Sequence, residues 1–346
     1  MSARLGQLLL LEVAKAQWSS ALERLLQRHA PAGLFFKNLA TISATWETAR
    51  KSTQALGSLP FLAVREEGAG ALCGLLATSL RPECIAGLGE KATEALGDLV
   101  GRAMHVVGLN LNLAPTVDLA VGSSGSKGIP SGSVQTEVTR RAEAFVRGLS
   151  RDGVLSCARH FPGLTVGASD RLQASPVVAS SMATLWREDL VPYRTLGSKL
   201  PAIQISHAVY KAYDYEFPRP ASLSSHVVEG LLRLKLGYKG VALADVSAAA
   251  RSAGIDFEES ALRALEAGCD LLVVPAEEKP LMAVLGALER AGEFGKLAGD
   301  RVQQALARVQ NAKCALASPP KEPSEREVSR LTHHFENFRK RYSCSA

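Results

Sequence analysis

The most constraining feature of this chain is a recurrence: short, β-rich apolar runs return eight times with helical patterns between them. They are Gln7 to Val13, Ala32 to Lys37, Pro60 to Arg65, Val106 to Pro115, Gly153 to His160, Ala202 to His207, Gly240 to Asp245 and Asp270 to Pro275. Successive runs start about 25 to 50 residues apart, which leaves room for one helix in each interval. Such alternation builds a parallel sheet. Eight parallel strands predict a closed (β/α)8 barrel, an α/β fold of TIM type. An open doubly wound sheet would more usually hold about five or six strands and a glycine fingerprint after the first. Leu11-Glu12-Val13-Ala14 supplies no such fingerprint.

The intervals carry helix grammar. Trp18, Ala21, Leu22, Leu25 and Leu26 form one apolar stripe. Ser224-Ser225 stands as an N-cap before Val227, Val228, Leu231 and Leu232, with Gly237 as the stop, and Asp256 to Gly268 repeats the pattern. No repeat or linker interrupts the chain before Ser318, so a single barrel domain is expected over 1–318. A short basic tail, helical or flexible, is expected over 319–346, where Pro319, Pro320 and Pro323 break the last helix. In that tail Val328, Leu331 and Phe335 share a helical face, which predicts docking on the barrel.

Composition narrows the function classes. The net charge of +6 is dispersed and aromatic residues make up only 5 %. The basic-aromatic platforms of nucleic-acid binders are therefore missing, and no nucleic-acid partner is expected. No apolar run reaches the ~18 residues of a membrane helix. The patch Leu8 to Leu11 is too short for a secretory signal, so a cytoplasmic, membrane-free protein is expected. The six cysteines lie far apart, without C-x-x-C or a histidine at ligand spacing, and read as reduced thiols with no metal site. No cofactor is signalled, and the oligomeric state is not legible.

Catalytic groups of such barrels sit at the C-terminal ends of the strands. The runs close on Lys37-Asn38, Arg65-Glu66-Glu67, Asp118, Arg159-His160, Ser206-His207 and Asp245. Any one of these residues could cap a helix. Together they make a cup of Asp, Glu, His and Arg without a phosphate loop, which suits a hydroxyl-rich ligand such as a sugar.

These segments resemble the amino-terminal barrel of glycoside hydrolase family 3, and within it bacterial β-N-acetylhexosaminidases acting on cell-wall fragments. The resemblance is carried by Gly33-Leu34-Phe35-Phe36-Lys37-Asn38, Glu67-Gly68, Asn112-Leu113-Ala114-Pro115-Thr116-Val117-Asp118 and Arg159-His160-Phe161-Pro162-Gly163. Ser206-His207, Ala221-Ser222-Leu223-Ser224, Gly237 to Asp245 and Ala264 to Asp270 complete it in family order. It implies a retaining glycosidase with Asp245 as nucleophile, attacking the sugar carbon to form a glycosyl-enzyme that water releases. It further implies that Arg159 and His160 clamp sugar hydroxyls, Arg standing for the family's Lys, and that His207, Arg65, Glu67 and Asp118 line the pocket.

The departures from the family pattern fall in that pocket. Where the acid/base loop ends in Asp-Ser-His, this chain has Asp170-Arg171-Leu172, so Asp170 remains while Leu172 cannot transfer a proton. Relatives that draw a Glu from a second domain need more chain than 346 residues are expected to provide. Asp170, Glu66 and His207 are the candidate replacements. Arg65 stands for the Asp of D-x-E-G-G-R, whose own Arg is absent, and the segment Gly122 to Gly128 replaces Arg-Ser-Phe-Gly. With Arg65 and Arg159 both in the pocket, the carbohydrate ligand is expected to be more anionic than the family's usual neutral sugar. The alternative is a catalytically impaired barrel that binds a sugar or a protein partner.

Overall fold

A computed structural model describes residues 2–119, 135–164 and 176–342. Asp170, Leu172 and the segment Gly122 to Gly128 lie outside the described residues. Eight strands close into a parallel barrel. In chain order they are β1 (Leu9–Ala16), β2 (Gly33–Leu39), β3 (Phe61–Val64), β4 (Leu111–Asn112), β5 (Leu155–Phe161), β7 (Ala202–Ile205), β9 (Val241–Asp245) and β10 (Leu271–Pro275). Between them the chain adds β6 (Val177–Val178) and β8 (Val209–Tyr210), a separate two-stranded parallel pair that the apolar runs do not announce.

Barrel strands bury both faces, so alternate residues serve two cores. Leu10, Phe35, Phe61, Ala63, Leu111, Cys157, Val241, Leu243, Leu271 and Val273 pack inside the barrel. Leu9, Leu11, Leu34, Phe36, Leu62, Val64, Ala242 and Ala244 pack outward under the helices. Leu8 to Leu11 are fully buried, which accounts for the apolar patch near the start of the chain.

Several boundaries differ from the sequence expectation for local reasons. The run from Val106 to Pro115 begins on the end of helix Glu90–Val106; Gly108, at φ 81°, turns the chain, and only Leu111–Asn112 pairs as strand. Helix Ser20–His29 starts after Trp18, is capped by Ser19, and leaves Ala21 exposed. The segment His226–Lys235 winds as a π-helix, and Ser224 rather than Ser225 accepts from Val227 N. Cys73, Cys157 and Cys269 are free and buried and Cys314 is free, but Cys84 is disulfide-bonded, which corrects the reading of uniformly reduced thiols.

The floor of the barrel is pinned electrostatically. The buried Asp270, just before β10, accepts from Arg233, from Arg301 at 2.8 Å, from Arg308 at 3.0 Å and from Ala242 N on β9 at 2.9 Å. After the last barrel helix, Trp46 Nε1 donates to Pro320 O. Helix Glu325–Arg341 then buries Leu331, Phe335 and Phe338 behind a Ser324/Glu327 capping box. Among the described residues no helix is long and apolar enough to cross a membrane.

Candidate active site

The inward parity of three strands delivers the site. In β3 the inward residues are Phe61 and Ala63, and the next in step is Arg65. In β5 Cys157 is followed by Arg159, and in β9 Val241 and Leu243 are followed by Asp245. Apolar inward positions thus give way, at the C-terminal rim, to two guanidinium groups and a carboxylate.

Asp245 Oδ1 caps helix Val246–Ala253 by accepting from Ala248 N at 2.8 Å. The cap orients the carboxyl group, and Oδ2 has no hydrogen-bond partner among the described residues. Asp245, Arg65 and His207 stand at the C-terminal ends of β9, β3 and β7, and Asp245 acts electrostatically on the other two.

The other two carboxylates are occupied. Glu67 is buried, and its Oε1 accepts from Thr116 N at 2.9 Å, Thr116 Oγ1 at 2.8 Å and Arg159 Nη2 at 3.5 Å. Arg159 Nε donates to Thr116 Oγ1 at 3.0 Å, so Glu67, Thr116 and Arg159 hold one another. Asp118 accepts from His160 N, His160 Nδ1 and Leu164 N at 3.1, 2.8 and 2.8 Å. Burial pushes the Asp118 carboxyl up, but His160 and the two backbone donors outweigh it and hold it at about 2. His160 itself is lowered, by burial first, against the pull of Asp118 and with Arg159 and Arg65 adding to the effect. At neutral pH it is therefore a neutral ring whose Nδ1–H donates to the ionised Asp118, leaving Nε2 as an acceptor.

Two groups are less engaged. His207 follows β7 and is half-buried. Its ring has no hydrogen-bond partner among the described residues, and burial, His160 and Arg251 lower its pKa against Asp245. Arg65 lies over the Phe35 ring at 6.0 Å and is exposed to the cup, also without a hydrogen bond or ion pair among the described residues. Burial against the barrel wall and Arg159 bring Arg65 down to about 10, so it stays charged at neutral pH.

Glu66, weighed from sequence as a proton donor, is corrected by its surroundings. It is fully buried, and its carboxylate accepts from Gly68 N (2.7 Å), Gly70 N (2.8 Å), Leu72 N and Cys73 N (both 3.0 Å). Its backbone is clamped by Asn112, which accepts from Glu66 N at 3.0 Å and donates to Glu66 O at 2.8 Å. Glu66 and Asn112 thus shape the turn that presents Arg65 and Glu67, a role the sequence did not reveal. Gly163 is similarly required: at φ 126° a Cβ would lie 2.5 Å from Asp189 Cβ, while its carbonyl accepts from Tyr210 Oη at 2.9 Å. Of the residues singled out from sequence, Asp245, Arg65, Glu67, Asp118, Arg159, His160 and His207 all lie around this cup, and Asp170 is outside the described residues. The rim also carries a Lys37–Glu12 ion pair at 2.6 Å. Among the described residues no group of three or more His, Cys, Asp or Glu side chains could share a metal ion.

The family model described as "Glycosyl hydrolase family 3 N terminal domain" matches residues 1–312. The chain belongs to this family. It is 32 % identical over 208 residues to a β-hexosaminidase of Pseudomonas aeruginosa, a match that spans 58 % of this chain and 60 % of that protein. It is 26 % identical over 298 residues to a β-hexosaminidase of Idiomarina loihiensis, covering 81 % and 87 % of the two chains. The solved glycoside hydrolase family 3 β-N-acetylglucosaminidase of Paenibacillus superposes with a TM-score of 0.81 over 98 % of this chain and 68 % of its own, at 23 % identity, a likeness of fold. The barrel itself follows the sequence expectation.

Proposed function

We propose that this family 3 barrel hydrolyses a β-glycosidic bond, in the manner of a β-N-acetylhexosaminidase, with retention of configuration and Asp245 as nucleophile. The observation that carries the reading is the Asp245 carboxylate. One oxygen is held by the cap of the following helix and the other has no hydrogen-bond partner among the described residues, at the barrel rim that also carries Arg65 and His207. In the first step Oδ2 attacks the anomeric carbon, the C–O bond to the leaving group breaks, and a glycosyl ester forms while a proton goes to the departing oxygen. In the second, water attacks the same carbon, the ester bond breaks and the proton is returned. His160 Nε2 and Arg159 face the sugar hydroxyls as acceptor and donor. His207 and Asp170 are the groups offered for proton transfer, Glu66 being consumed by the turn. Aryl N-acetyl-β-glucosaminides and aryl β-glucosides, assayed with the wild type and Asp245→Asn, test the reading. Loss of turnover in the variant is expected, and equal rates would sink it.

A second reading, a barrel that binds sugar without turnover, is favoured by one observation: Leu172 stands where the family's acid/base His is expected. Saturable calorimetric binding of an N-acetylglucosamine-containing cell-wall fragment with no product formed would select it.

A further inference from the structure

The two arginines of the cup are not equivalent. Arg159 is tied down by two of its N–H donors, Nε on Thr116 and Nη2 on Glu67. Arg65 is not: its guanidinium carries five N–H donors, rests on the Phe35 face and makes no hydrogen bond or ion pair among the described residues. It occupies the inward position one step beyond Ala63 on β3, across the barrel mouth from Asp245 on β9, and its turn is locked by the Glu66 and Asn112 hydrogen bonds. The carboxylates that could neutralise it are committed elsewhere: Glu67 to Thr116 and Arg159, Asp118 to His160 and Leu164. Arg251, on the helix that Asp245 caps, adds a further positive charge on the His207 side. A planar guanidinium stacked on an aromatic ring at the barrel mouth, with no hydrogen bond or ion pair among the described residues, is complementary to an oxyanion group bound in two-pronged fashion.

We propose that Arg65 is a specificity residue that selects a glycoside whose sugar bears an anionic substituent, a carboxylate or a sulfate. This rests on the placement of the sugar at Asp245 in the proposed function. Asp245 itself does not satisfy Arg65, because the two are coupled through space without a hydrogen bond among the described residues. The expected gain from a charge-assisted contact is about ten- to a hundredfold in affinity.

Non-hydrolysable thioglycosides keep this test apart from the test of hydrolysis. Calorimetry with aryl 1-thio-β-glucuronide and aryl 6-O-sulfo-1-thio-N-acetyl-β-glucosaminide would be compared with the uncharged 1-thio-β-glucoside and 1-thio-N-acetyl-β-glucosaminide, on the full chain. At least one anionic compound is expected to bind tenfold or more tightly than its neutral match, which of the two it is telling carboxylate from sulfate. That advantage should fall below about threefold in Arg65→Met, recover in part in Arg65→Lys, and shrink in high salt. Equal or tighter binding of the neutral compounds, no binding of either anionic one, or an advantage that survives Arg65→Met overturns the inference. Hydrolysis of the matching O-glycosides is scored separately. An anionic advantage without turnover would sink the hydrolase reading alone, and turnover without the advantage would sink this inference alone.

Discussion

Glu66→Ala is the sharpest probe of how the cup is built. Four backbone N–H groups, those of Gly68, Gly70, Leu72 and Cys73, converge on a carboxylate with no exposed surface. A buried donor left without an acceptor costs about 1–3 kcal/mol. Water entering the vacated volume would satisfy some of the four, so the low end applies and the loss is about 4 kcal/mol. With about 2.1 cal/mol/K of unfolding entropy per residue, 346 residues give about 0.7 kcal/mol/K, and Tm should fall by about 6 °C. Glu66→Gln keeps one acceptor oxygen and turns an amide donor toward the other two N–H groups, so about half that loss is expected. Because the same turn presents Arg65 and Glu67, the variants should also weaken sugar binding in the order Ala more than Gln. Differential scanning calorimetry and ligand titration read both effects. A Tm for Glu66→Ala within about 1 °C of wild type would show that these four hydrogen bonds do not stabilise the turn.

Asp270→Asn leaves Arg233, Arg301 and Arg308 around a neutral amide on the barrel floor and should cost about 3–5 kcal/mol, read as a drop in the urea midpoint; an unchanged midpoint would contradict it. His29, His160 and His207 all have pKa values pushed below 6.5, burial being the first cause. Folded, they bind fewer protons than unfolded, so their contribution to stability is full above about pH 6.5 and is lost as pH falls below it. The urea midpoint should therefore be lower at pH 5.5 than at pH 7.5, with a second loss between about pH 4 and pH 2 as Asp118 protonates; an equal or higher midpoint at pH 5.5 would be inconsistent. Phe335→Ala removes a fully buried ring from the face of helix Glu325–Arg341. At about 3–5 kcal/mol this should open the helix enough for trypsin to cut among Arg330, Arg339, Lys340 and Arg341 at least about tenfold faster, and unchanged cleavage would argue against docking.

Much of the barrel was legible because its strands are buried on both faces and therefore read as continuous apolar runs. The same property hid the ends of the runs: Val106 belongs to a helix, and only two residues of the fourth run pair as strand. The two-residue strands β6 and β8 are too short to leave a periodic signal. In the site, a period of two from Phe61 to Arg65, from Cys157 to Arg159 and from Val241 to Asp245 places all three polar residues on the inward face, a signal present in the sequence once the barrel is assumed. The role of Glu66 was not legible, since a carboxylate beside Arg65 and Glu67 looks chemical until its four backbone donors are seen. Neither was the inequality of the two arginines, which depends on Thr116 and Glu67 reaching Arg159 from the segments that follow β4 and β3. Of the two arginines expected from sequence to meet an anionic ligand, only Arg65 makes no hydrogen bond or ion pair among the described residues.

In the proposed reaction Asp245 Oδ2 bonds to the sugar. Incubation with 5-fluoro-β-glycosyl fluorides of N-acetylglucosamine and of glucuronic acid, followed by intact mass measurement and peptide mapping, reads that bond directly. A gain of one fluoroglycosyl unit is expected, on the peptide carrying Asp245 and absent from Asp245→Asn. A label on any other residue, or turnover by Asp245→Asn at the wild-type rate, would contradict it.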